Sequence, residues 1–108
     1  MDIEAIRELV RSGNYLIKSH AVTHALKEGF ERQHMVEAVL EGDIIEEYPD
    51  VYRVLICGGT SLSESVIIYL HVVCETADQT YVEFVTAYIP DEFEWESPPF
   101  RRRAKKRN

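Results

Sequence analysis

Apolar residues recur at spacings of three and four early in the chain and at spacings of two later on. Ile3, Ile6, Leu9 and Val10 form one helical stripe, which Gly13-Asn14 brings to a stop. Tyr15-Leu16-Ile17 is a short apolar connector. "SHAVTHALKEG", residues 19 to 29, reads as a second helix with Ser19 at its N-cap. At about 100° per residue, Val22, Ala25, Leu26 and Gly29 gather on one side and His20, His24 and Lys27 on the other. Gly29-Phe30 ends this helix. A third starts at Glu31 or Arg32, buries Met35, Val36, Val39 and Leu40, and closes at Gly42.

From Asp43 the period drops to two and β-branched residues take over. Ile44 to Tyr48 is a first strand, followed by a turn at Pro49-Asp50. Tyr52 to Cys57 is a second, ended by a turn at Gly58-Gly59. Ser65 to Glu75 is the strongest strand signal, and a hairpin turn at Ala77 to Thr80 leads into Tyr81 to Tyr88. Pro90 ends the sheet, Trp95 folds back as a cap, and Pro98-Pro99 separates the basic end of the chain. The expected fold is α+β, with three N-terminal helices packed on a four-stranded antiparallel sheet. A domain over 1–97 precedes a basic, flexible tail over 98–108.

Strand parity gathers the polar residues. In Ser65 to Glu75 the even positions Val66, Ile68, Leu70, Val72 and Cys74 are apolar and mark the core face. With a two-residue turn at Asp78-Gln79, His71 pairs with Thr86 and Tyr69 with Tyr88. Tyr69, His71, Thr86 and Tyr88 then share one polar-aromatic patch. A three- or five-residue loop shifts the register by one and scatters it.

The chain has 108 residues, of which 45% are hydrophobic, enough for one core and one domain. No apolar run approaches the roughly 20 residues of a bilayer span, and the acidic start is unlike a signal peptide. A soluble cytoplasmic protein with no membrane association is expected. Cys57 and Cys74 lie in apolar strand runs and read as buried free thiols. The net charge of −7 conceals an asymmetry: residues 100–108 hold six of the twelve Lys and Arg, leaving the rest of the chain at −13. Such a body repels phosphate backbones, whereas Arg101, Arg102 and Arg103 in the tail attract them.

His20 and His24 sit one helical turn apart, but HExxH is absent, CxxC is absent, and no third ligand presents itself, so neither a metal nor any other cofactor is expected. No GxSxG, P-loop or GxGxxG occurs. Glu46-Glu47 and the acids from Glu92 to Glu96 read as solvated runs, and His34 as an exposed residue without a role. The imidazoles remain as candidates for proton exchange near neutral pH.

His20-Ala21, Gly29-Phe30, "VEAVLEGDIIEEYPD", "LHVV" and "VTAYIPDEFEW", in that order, resemble the prokaryotic domain-of-unknown-function family 4258, from about Met1 to Trp95. That family is similar in architecture to the RelE and BrnT class of small toxins, which implies a metal-independent ribonuclease with RNA as substrate and a protein antitoxin as partner. His20 and His71 would then be the catalytic acid and base, with Tyr88 orienting or donating. Lys27, His24 and the tail arginines would contact phosphate. The chain departs from the pattern at His24, where the resemblance leads one to expect arginine, and at Glu28, where it often does. Losing two guanidiniums weakens a phosphate clamp. Two readings therefore stand: a toxin-like ribonuclease, or a non-catalytic interaction module, dimeric or bound to another protein through its sheet face or tail.

Overall fold

The computed structural model describes residues 1–104, and the part of the expected tail over 105–108 lies outside the described residues. Helix α1 spans Ile3–Arg11, where the Asp2 carboxylate accepts the Ala5 N–H at 2.8 Å and Gly13 turns the chain at φ +77°. The apolar connector is a strand: β1, Tyr15–Ile17, lies parallel to the last strand of the sheet. Helix α2, Ser19–Glu28, ends at Gly29 in the left-handed region. Its N-cap is Lys18 rather than the expected Ser19, and no side chain caps it.

Helix α3 covers Arg32–Glu41. A reciprocal cap opens it: the Glu31 carboxylate accepts the His34 N–H, and His34 Nδ1 accepts the Glu31 N–H at 2.9 Å. His34 is therefore buried, not the idle surface residue expected, because it satisfies an amide that the helix cannot.

Strands β2 (Asp43–Tyr48), β3 (Arg53–Ser63), β4 (Val66–Glu75) and β5 (Val82–Tyr88) complete a five-stranded mixed sheet of order β1-β5-β4-β3-β2. This corrects the expected four-stranded antiparallel sheet in two respects. A parallel edge strand is added, and that strand lies between α1 and α2 rather than after the helices. Short as β1 is, its apolar side chains Tyr15 and Ile17 pack against the core, and Tyr15 stacks on Phe84 with ring centroids 5.4 Å apart.

Gly58-Gly59 is not a turn. Strand β3 runs through both, because α3 crosses the sheet so closely that a Cβ on Gly58 would overlap the Ala38 carbonyl. The glycine is there for approach, not for chain reversal. The β4–β5 register also differs from expectation, since His71 pairs with Tyr88 and Val73 with Thr86. The connection is longer than two residues, and Thr80 donates N–H and O–H to the Asp78 carboxylate within it. A bulge follows between Val73 and Cys74. A slip of two positions leaves parity intact, so His71 and Tyr88 keep a common face and become direct cross-strand neighbours.

The sheet thus has two covered faces. Helices cover one, where Val54, Ile56, Leu70, Val72 and Cys74 meet Ile6, Ala21, Ala25, Phe30 and Met35. Within α2 the buried residues are Ala21 and Ala25, while Leu26 is 67% exposed. The helix is therefore rotated from the orientation its sequence predicts, because small residues let it approach β5. The opposite face carries Leu55, Cys57 and His71, all buried, and is covered by the chain after β5.

Candidate functional site

The segment from Trp95 to Arg103 is a strap across that second face. Trp95 and Arg102 form an isolated antiparallel bridge. Glu96 N–H donates to the Arg101 carbonyl at 2.9 Å and Arg103 N–H to the Glu94 carbonyl at 2.7 Å. From 98 to Arg103 the basic segment is hydrogen-bonded to residues of the domain, through Arg102 to Glu46 and through Arg103 to Glu92 and Glu94. Trp95 is the cap its position suggested, at 2% exposure, with its ring edge-on to His71 at 4.3 Å between centroids.

His71 sits beneath it and is fully buried. The Pro99 carbonyl can only accept, so His71 Nε2 donates to it at 2.8 Å and carries the proton of the neutral ring. Nδ1 then accepts from the Tyr88 hydroxyl at 3.2 Å. Burial lowers the His71 pKa below its ordinary value and the Arg102 charge adds to this, whereas the Pro99 carbonyl and Glu46 act the other way. Tyr88 is pushed up to about 12, chiefly by burial. Near neutral pH both groups are uncharged, and each engages the other.

Glu46 closes the strap on its far side. Its carboxylate accepts from Arg102 Nε at 2.7 Å and from a second Arg102 nitrogen at 3.1 Å, and it also accepts from the Tyr48 hydroxyl. The Arg102 hydrogen bond comes first among the causes holding Glu46 below the usual carboxylate range. The Arg102 guanidinium lies 4.6 Å from the Trp95 ring centroid, a cation–π contact. Glu46 is therefore no solvated run but an anchor. Parity alone would have set it on the helical face with Ile44; a bulge between Ile44 and Glu46 turns it instead to pair with Leu55, on the face of Cys57 and His71.

The expected site residues do not converge. His71 and Tyr88 touch, while His20 is exposed on α2, in the helical layer on the other side of the sheet. His24 faces Glu28 one turn on, and Lys27 is exposed on the same helix. Arg102 is occupied by Glu46, and Arg103 Nε donates to the Glu92 carbonyl. Arg101 is exposed on the strap. Among the described residues no three of His, Cys, Asp and Glu come together as a metal site would need. No helix among them is long and apolar enough to cross a membrane.

Glu28 decides where the sheet ends, a role that its place in the sequence does not announce. Its Oε1 accepts the Ile89 N–H at 3.1 Å, and Pro90 has no N–H to offer. The last strand is thereby drawn toward α2 and leaves β4 after the His71–Tyr88 pair.

Helices on one face of a mixed sheet and a C-terminal strap on the other define a small α+β protein with a closed polar-aromatic cluster. The chain belongs to the family described as domain of unknown function (DUF4258), whose sequence model matches residues 17–89. The match runs from β1 to the residue held by Glu28, and the strap lies beyond it. The chain has no significant match to a curated protein or to a solved structure.

Proposed function

We propose that this chain is a non-catalytic binding module whose partner is a protein. The observation that carries the reading is the state of His71: it is 0% exposed, neutral, and has a hydrogen-bond partner on each ring nitrogen. An acid/base group must reach a substrate proton, and this one holds down the strap instead. Of the arginines expected to contact phosphate, Arg102 is engaged by Glu46 and Arg103 by the Glu92 carbonyl. Exposed apolar side chains support the same reading. Leu62, Val66, Ile67, Tyr69, Ile89, Phe93 and Phe100 all belong to the β3–β4 ribbon end and the segment after β5.

The ribonuclease reading, with RNA as substrate and an antitoxin as partner, rests on resemblance and on the exposed His20. Incubating the purified full-length chain with total RNA, alongside its His20→Ala variant, separates the two. No cleavage by either protein is expected. Cleavage by the native chain that His20→Ala abolishes would overturn the binding-module reading.

A further inference from the structure

Strand β4 is longer than its neighbour. Its pairing with β5 begins at His71, whereas its pairing with β3 extends back to Val66. Among the described residues, nothing pairs with Val66–Leu70 on the side that β5 vacates, and no turn or loop hydrogen bond reaches that backbone. Leu70 is itself fully buried, so the accessible edge is Val66–Tyr69. An open edge of this kind exposes N–H and C=O groups at every second residue and is a template for another strand.

Proteins normally blunt such edges with charge or by covering them. Here the chain departs at Glu28 and Pro90 and leaves a groove of about 250 Å³ beside the edge. Ile67, Tyr69 and Ile89 contribute its apolar lining, and Asp91, Glu92 and Glu96 its charged lining. No cation is among the lining residues. Ile67 is 72% exposed beside this groove.

We infer that the Val66–Tyr69 edge is the docking site for an extended, basic segment of a partner protein, which adds as a strand in the place β5 leaves empty. Main-chain hydrogen bonds to β4 supply affinity, apolar side chains cover Ile67 and Tyr69, and cationic ones meet the three carboxylates. This rests on the binding-module reading and names its surface.

The test uses the full-length chain and a synthetic octapeptide alternating lysine and valine, followed by amide NMR shifts and fluorescence anisotropy. A second peptide of the same sequence carries N-methyl groups at alternate residues, which keeps its charge and removes the edge-directed N–H groups. The expected result is perturbation of the Val66–Tyr69 amides and binding at least about tenfold weaker for the methylated peptide, the loss of roughly one to two hydrogen bonds. Glu92→Lys with Glu96→Lys, or Ile67→Ser alone, should weaken binding several-fold. Glu41→Lys with Asp50→Lys, exposed elsewhere and equal in charge, should not weaken it to that extent.

Equal binding of the two peptides, no binding, or shifts centred instead on the separate groove that Val22, Leu26 and Phe30 line at the end of α2 would overturn the assignment. So would loss of the same amide signals with rising protein concentration and no peptide, since a second copy would then be the occupant. RNA cleavage is scored on the same samples. Failure to bind without cleavage removes only this site, whereas cleavage removes the reading beneath it.

Discussion

The two faces of the sheet are closed by different means. On the helical face, side chains from α1, α2 and α3 interdigitate with β3, β4 and β5, and the residues involved are almost all aliphatic or aromatic. On the other face one extended segment suffices, held by a carbonyl on His71, a carboxylate on Arg102 and the Trp95 ring. The first closure is non-directional and scales with buried area; the second depends on a few oriented contacts. Each face carries one buried cysteine, Cys74 under the helices and Cys57 under the strap, so the molecule holds its own pair of reporters.

Damage to the helical face should cost most. Phe84→Ala removes a fully buried ring stacked on Tyr15 and should lower unfolding free energy by about 3–5 kcal/mol in a urea titration. Trp95→Ala should act locally instead. With the strap loosened, Cys57 should react with iodoacetamide at least about tenfold faster than in the native chain, while Cys74 stays silent short of global unfolding. Equal acceleration of both thiols would mean that the faces are one cooperative unit. In the native chain burial pushes the Cys57 thiol up to about 12, which keeps it inert near neutral pH.

The smallest expected effect is the pH dependence of the strap face. The folded His71 pKa lies below its ordinary 6.5, so the unfolded chain binds that proton more tightly. Its contribution to stability is full above that value and is lost as pH falls through the lowered folded pKa. Glu46, also lowered, adds a loss that begins only below its ordinary 4.5. Urea midpoints measured from about pH 8 to about pH 5 should decline for the native chain and flatten for His71→Phe. An unchanged slope in that variant would show that His71 takes up its proton at the same pH in the folded and unfolded chain.

Elements with a strong period were legible in the sequence: three helices, the long β4 and the parity that unites His71 with Tyr88. What escaped was set by tertiary contact. Tyr15-Leu16-Ile17 is too short to announce a strand and becomes one only because β5 offers a parallel partner. Gly58 punctuates like a turn, yet it serves the passage of α3. His34 and Glu46 looked like surface residues, because a cap and an ion pair between residues far apart in sequence leave no trace in hydropathy. Trp95 was legible as a cap, since a lone tryptophan after a sheet has few other places to go. Pairing of the basic end with the acidic body was expected from charge, but not that Arg102 would be the residue to make it or Glu46 its partner.

The strap also has a consequence for the order in which the protein takes shape. Among the described residues, every strand and helix precedes it in the chain. As a nascent polypeptide emerges, the helical face can therefore close while Leu55, Cys57 and His71 are still uncovered, and the second face waits for the stretch from Trp95 to Arg102. That interval leaves a bare apolar surface on an otherwise assembled sheet, the state in which a chaperone would most readily recognise this chain.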